Sequence, residues 1–490
     1  MITWNLALLT LVAGIGGTFQ FGLHISIINS PSEHIKRFMN QTWVDRHGSP
    51  FSSETVTFLW SLVVSSYSVG GFLGVLVAGE LCIRYGRKRI MLWNNLVAVL
   101  GAVFMAISRT IGSFEVILLG RILYGFNAGV GLNVHNMYIG ECAPQNLRGM
   151  LTVSIAFFIA AGKLAGLAFG TSEFLSSEAA WPFLMAISGI PAVFQLVTLP
   201  FFPDSPRYLL IDMEDKEGCV KAMNQLWAES DHMAEMNNMI AERNSLKQGK
   251  RRSVMDMLRD RSIRQQVIVL LVFCGSLQLI GINVVYFYAY SVFLNAGIAV
   301  AQIPYVSIGL GITEIFTVIL CGCIIDRVGR KTLLLGGFGF MNVILALLTA
   351  TLTFQESYTW VPYASSVLIF LFIFSFGIGP ASVVCPLAME IFLQSYRPSA
   401  FTLSGMLNWV EMFLLGLGFP FIVQGLGSFS FLIFLAYSLS VTVFIWMCVP
   451  ETRGRSMLEI TDAFHQLTIR RGGARKDLER DTIAVTSTRL

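Results

Sequence analysis

Gly322-Cys323-Ile324-Ile325-Asp326-Arg327-Val328-Gly329-Arg330-Lys331 lies between two long apolar runs and carries a dense basic cluster. The pattern occurs 243 residues earlier as Gly79-Glu80-Leu81-Cys82-Ile83-Arg84-Tyr85-Gly86-Arg87-Lys88, with both glycines, two arginines and the lysine identical. Two further pairs repeat in the same order at nearly the same offset. Glu141 precedes Arg148 by seven residues, as Glu390 precedes Arg397, and Pro203-Asp204-Ser205-Pro206-Arg207 is echoed by Pro450-Glu451-Thr452-Arg453. A single such segment could be a basic anchor at the end of a membrane span. Three echoes in register make the chain two related halves, the organisation of membrane proteins built from internal repeats.

Composition points the same way. Of 490 residues, 54% are hydrophobic and 13% charged, against about 25% charged in soluble domains. Mean hydropathy is +0.65. The net charge of +4 does not imply nucleic acid, because the basic residues have a topological job. Eight scattered cysteines read as free thiols, and Cys321-Gly322-Cys323 is too short for zinc spacing. The sequence carries no phosphate loop, metal-ligand set or nucleophile elbow, so neither an enzyme nor an ATP-driven pump is expected, nor a cofactor.

A spanning helix needs about 20 apolar residues. Twelve candidates run roughly over 5–28, 58–80, 89–108, 113–138, 150–171, 181–201, 265–290, 303–325, 332–354, 361–386, 400–423 and 428–449. The first has no basic residues before it, so it is expected to span and not to be a cleaved signal. The spacing predicts an all-α membrane protein: a six-helix bundle over 1–202, a polar linker of short helices over 203–264, a second bundle over 265–455 and a polar tail over 456–490. With both termini cytosolic, 28 of the 34 Lys and Arg fall on the cytosolic side. The 29–57 loop then faces out, and its Asn40-Gln41-Thr42 is a glycosylation sequon on the side where a glycan can be added. Glycines at 14, 16, 17, 22, 70, 71, 74, 125, 129 and 131 predict close helix packing. Pro380 and Pro386, beside Gly377 and Gly379, predict a broken tenth span lining a cavity.

The paired basic motifs, Gly120-Arg121, Pro203–Arg207 and Val449-Pro450-Glu451-Thr452-Arg453-Gly454-Arg455 resemble the sugar-porter branch of the major facilitator superfamily. From about residue 5 to 465 the chain is similar to the facilitative hexose transporters. Gly14–Gly22, Ser26–Asn29 and Ser375–Pro380 look most like the class II, fructose-transporter-like branch. The resemblance implies the major facilitator fold of twelve transmembrane helices in two pseudo-symmetric bundles, alternating access, and a plasma-membrane carrier of fructose or glucose. Its partners would be the hexose and the bilayer, with neither nucleic acid nor an obligate protein partner. It implies a cytosolic gate of Arg84, Arg87, Glu141, Arg148, Asp326, Arg327, Arg330, Glu390 and Arg397, pairing between bundles when that side is closed. Ile83 stands where the superfamily motif usually has Asp, so the two latches are expected to differ.

At the substrate site, Leu277–Asn283 matches the seventh-helix motif and keeps Gln278 and Asn283. Asn408-Trp409 matches the eleventh-helix pair, and Phe21 falls on the first-helix position. Tyr286 and Tyr288 could form the outer gate. Ala156, Cys385 and Glu314 stand where the family has Gln, Trp and Asn, so the cavity should be less polar toward sugar. His24 occupies the position of an Asp in proton-coupled porters and an Asn in uniporters. The alternatives are therefore another small polar solute such as urate, a proton symporter working through His24 and Glu314, or a non-transporting sensor. Lys163 and Glu314 lie within spans, where a lone charge is expensive. Their heights agree to within one or two turns, and the resemblance implies that the fifth and eighth helices face each other across the bundle interface; together these predict an ion pair beside the substrate path, with Glu411 as a rival partner.

Overall fold

In a medium without water, backbone N–H and C=O groups must pair within the segment that carries them, so long apolar runs become helices. A computed structural model of the chain describes residues 3–144, 147–171, 177–227, 236–237, 239–240, 253–354, 358–392, 396–453, 459–460 and 463–464. The side chains of 148–150, 152–153, 322–323, 325–326, 385–386, 388–390 and 397–398 are outside that description. The first half comprises α1 (Trp4–Gly16), α2 (Thr18–Ser26), α3 (Ser32–His47), α4 (Ser53–Tyr85), α5 (Arg87–Ile111), α6 (Glu115–Cys142), α7 (Arg148–Phe169), α8 (Trp181–Ala186) and α9 (Gly189–Thr198). Then come α10 (Lys216–Leu226) and α11 (Val254–Arg259). The second half comprises α12 (Arg264–Gln278), α13 (Ile282–Phe287), α14 (Ala289–Asn295), α15 (Ile303–Val328), α16 (Arg330–Thr353), α17 (Val361–Phe376), α18 (Ser382–Ile391), α19 (Arg397–Leu426) and α20 (Ser430–Cys448). Among the described residues, ten helical stretches are long and apolar enough to cross a membrane.

Small residues set the packing. A Cβ on Gly70 would lie 1.9 Å from the Ile122 carbonyl oxygen, and one on Gly125 would lie 1.8 Å from that of Tyr67. Both positions must be glycine for α4 and α6 to touch backbone to backbone. The same holds between α2 and α7, where a Cβ on Gly22 would meet the Ile159 oxygen at 2.0 Å.

The repeated motifs perform the same structural task in each half. Gly86 and Gly329, at φ +87° and +101°, end α4 and α15 and let the chain reverse. The next helix begins at once, leaving first-turn N–H groups without partners. In the second half Glu451 accepts from the amides of Arg330 (2.9 Å), Lys331, Thr452 and Arg453 (3.1 Å each). In the first half Asp204 accepts from Lys88 N–H at 3.4 Å and Ser205 N–H at 2.8 Å. The motif lysines cap the opposite polarity. Lys88 Nζ donates to the carbonyls of Pro200 and Phe202, and Lys331 Nζ donates to that of Trp446. Each motif thus ties one helix start to the end of the span that closes its half.

These turns lie at one end of the helices, which we call the terminal face. The N-terminus docks there, with Thr3 Oγ1 donating to the Leu226 carbonyl and Asn5 to that of Gln225. Helix α3 lies at the opposite, distal face.

Glu451→Ala removes an anionic cap from the start of α16. We expect a loss of about 1–2 kcal/mol, read as a lower melting temperature in detergent. Lys331→Ala, losing one exposed contact, should cost less. An unchanged melting temperature for Glu451→Ala would contradict the cap.

Candidate functional site

The seventh apolar run is not one helix. α12 ends at Gln278, Gly281 takes φ +90°, and α13 restarts at Ile282. The break brings two amides onto a third. Gln278 Nε2 donates to Asn408 Oδ1 at 2.5 Å, and Asn283 Nδ2 donates to Gln278 Oε1 at 2.5 Å. Gln278 and Asn283 are buried, so the three amides form a polar line across an apolar interior. Sequence motif matching finds all three; the break that joins them is signalled by Gly281 alone.

One turn beyond Asn283, on the same face of α13, Tyr286 donates its hydroxyl to Glu314 Oε2. Lys163 Nζ reaches Glu314 Oε1 at 2.7 Å and lies 4.3 Å from the Tyr286 ring centroid. The expected pair is present, and it joins α7 of the first half to α15 of the second. Its side chains are 7% and 15% exposed, so both charges sit in low dielectric with hydrogen bonds to support them. Glu411 is not the partner. It lies near Gly275 and Tyr437, away from Lys163.

An aromatic wall stands beside the amides. Trp409 meets Phe21 edge-on at 5.7 Å and Tyr67 at 5.4 Å, and a Cβ on Gly71 would strike its ring at 2.2 Å. His24 is fully buried, stacked 4.0 Å from Tyr124. Arg121 Nη1 donates to the His24 carbonyl at 3.0 Å, and its guanidinium lies 4.7 Å over the Tyr67 ring, which the imidazole also contacts. Among the described residues neither imidazole nitrogen has a hydrogen-bond partner. Tyr288 donates to the Gly416 carbonyl at 2.6 Å and packs on Phe419. The two rings help line a cleft of about 700 Å³ at the distal face, where Lys36 lies over Trp60 and Gln424 also contributes. Tyr286 and Tyr288 therefore act at different levels. The tenth apolar run is not broken as expected: it stays helical and takes up Pro380 in a π-helical turn over Gly377–Ala381.

At the terminal face, Arg87 pairs at 2.8 Å with both Glu141 and Asp212, and Ser205 Oγ donates to Glu141 Oε2 at 2.5 Å. This network lies within the first half and the segment that follows it. Asp212 carried no sequence signal, whereas Ser205 lies in a repeated motif. Burial raises the Asp204 carboxyl above its ordinary range, while the Ser205 and Lys88 amides and the Arg87 and Lys88 charges pull it back. Arg84 is exposed and pairs with Glu80 on its own helix. Arg327 is exposed at the end of α15, and Arg330 offers its amide to Glu451. The side chains of Arg148, Asp326, Cys385, Glu390 and Arg397 lie outside the described residues. Asn40 is half-buried on α3, its Oδ1 accepting from Phe51 N–H at 2.9 Å.

Apolar spans enclosing a line of amides and a cross-half ion pair define a multi-pass membrane protein with an internal polar site. Residues 9–464 match the profile of the family "Sugar (and other) transporter". The chain is 42% identical over 472 residues to human solute carrier family 2, facilitated glucose transporter member 11, covering 96% of this chain and 95% of that one. It is 40% identical to mouse member 5, over 94% and 92% of the two chains, and 39% identical to human member 9, over 94% and 86%. The chain belongs to the sugar transporter family. Its fold matches that of the xylose transporter XylE from E. coli in an inward-open conformation, with TM-score 0.76 and 21% identity over 94% and 99% of the chains.

Gln278→Ala or Asn283→Ala leaves an amide of this line unpaired. Each should weaken substrate affinity by about 1–3 kcal/mol, roughly 5- to 150-fold, with the yield of folded protein little changed. Normal affinity in both variants would remove the amide line from the site.

Proposed function

We propose that the protein is a facilitative hexose transporter, moving fructose or glucose down its gradient by alternating access. The observation that carries this reading is the Asn408–Gln278–Asn283 line beside Phe21 and Trp409. It offers donors and acceptors next to aromatic faces, which is what a sugar requires in a mostly apolar cavity. The curated relatives, named as facilitated glucose transporters, support the same reading. Glu314 is engaged by Lys163 and Tyr286, and His24 lies beside Arg121, which favours uniport over proton coupling. Lys163 is neutralised by Glu314, which favours a neutral sugar over an anion such as urate.

The architecture we propose has twelve spans. Gly427–Phe429 divides the 50-residue apolar stretch Ser399–Cys448 into two, and α7 supplies another. The bundles are 1–202 and 265–455, with the linker over 203–264 and the tail over 456–490. The terminal face lies in the cytosol of a plasma-membrane protein. Its gate is formed by Arg84, Arg87, Glu141, Arg148, Asp326, Arg327, Arg330, Glu390 and Arg397, and the outer gate by Tyr286 and Tyr288.

Proteoliposomes carrying the purified protein should take up labelled fructose or glucose saturably, unchanged by an imposed pH gradient. Urate uptake without hexose uptake, or hexose uptake that needs an inward proton gradient, would replace the reading with one of its rivals. In cells, glycosidase should shift the mobility of the protein and have no effect on Asn40→Gln. An antibody tag in the 29–57 segment that is reached only after permeabilisation would reverse the topology.

A further inference from the structure

We infer that Lys163 and Glu314 are positioning residues of the transport cycle. Their ion pair, in the distal halves of α7 and α15, is a clasp that holds the two halves together and opens whenever the distal face opens. The inference rests on the transporter reading, but its test needs no substrate.

The two charges are mounted on separate bodies. Lys163 is fixed to the first half: its carbonyl accepts from Ser26 Oγ at 2.8 Å, and a Cβ on Gly162 would lie 2.1 Å from the Phe19 carbonyl oxygen. Glu314 is fixed to the second half by Tyr286 and by its own helix, where a Cβ on Gly377 would meet Thr317 at 2.6 Å. Glycine at 311 lets α7 and α15 approach closely enough for the charges to meet, since a Cβ there would lie 2.7 Å from the Leu164 Cα. Two further distal contacts between the halves, among the described residues, are neutral. Tyr290 N–H donates to Asn29 Oδ1 at 2.8 Å, and Gln424 Nε2 to Thr57 Oγ1 at 3.1 Å in an exposed position.

Separation is asymmetric. Tyr286 belongs to the same half as Glu314, so when the distal ends part, Glu314 keeps a hydroxyl donor. Lys163 loses the carboxylate and the aromatic face in one step. An ammonium stripped of its partner at membrane depth is costly, so the empty carrier rests with its distal face closed. A static pair that merely neutralised two buried charges would not need to bridge two bodies.

The test reads opening directly. Ser61 is fully buried on α4, one turn inward of Thr57 and in hydrogen-bond contact with Tyr288 of the second half. Ser61→Cys in purified protein without sugar is labelled with a membrane-impermeant maleimide, and the label is located by peptide mass. Adding K163M/E314Q should raise the labelling rate about tenfold, the population change expected from losing a bias of roughly 1.4 kcal/mol. The exchanged pair K163E/E314K should return it toward the parent rate. Gly311→Val, which keeps both charges but wedges α7 from α15, should also raise it. Equal rates in the parent and K163M/E314Q, both fast or both slow, would overturn the clasp. So would an exchanged pair that labels as fast as the neutral one, or, should K163M/E314Q not fold, a Gly311→Val rate equal to the parent's. Hexose uptake by the unmodified protein decides the transporter reading separately.

Discussion

Two carboxylates, Asp204 and Glu451, hold the ends of the two halves. Each lies just after the last span of its half and accepts N–H groups at the start of an earlier helix, α5 or α16. A helix that begins immediately after a reversal at the membrane edge has exposed donors and a positive dipole end, and a fixed anion satisfies both. The motif lysines answer at the other polarity, on the carbonyls of the closing span. One acid and one lysine therefore connect the third and sixth apolar runs, and the ninth and twelfth. The glycine before each helix permits both the reversal and the approach of the carboxylate: a Cβ on Gly86 would sit 2.7 Å from Asp204 Oδ2.

Within that frame the polar interior divides into two kinds of contact. The amide line and the aromatic wall are neutral. The ion pair is charged, buried and mounted on both halves. At the terminal face the described network around Arg87 is internal to the first half and the segment after it. The contacts at the distal face join the halves, through Asn29 and Tyr290, Thr57 and Gln424.

Much of this was legible in the sequence because it follows from local rules. Apolar run length gave the helices, and the glycines of α2, α4 and α6 marked the close seams. The duplicated basic motif revealed the two halves, but its physical reason emerged only when Asp204 and Glu451 were seen as caps. The Lys163–Glu314 pair followed from counting heights along two helices that the resembling fold sets face to face, because isolated charges in an apolar medium are costly. What sequence could not give was tertiary. Asp212 as a second partner of Arg87 lies 125 residues away in a polar segment with no spacing rule. The break at Gly281 lies inside a run that stays apolar enough to read as one span, despite Gln278 and Asn283 on either side of it. Tyr286 and Tyr288 read as equivalent gate residues, yet neighbouring positions on the α13–α14 corner send one to Glu314 and the other to Gly416.

A single internal site that serves both faces in turn should support counterflow. Proteoliposomes preloaded with unlabelled hexose are diluted into a trace of the labelled sugar, with the pH gradient and membrane potential collapsed. Label should accumulate transiently above its equilibrium level, decay as the internal sugar leaves, and fail to do so in Gln278→Ala. A monotonic rise to equilibrium without overshoot, or no entry at all, would contradict such a site.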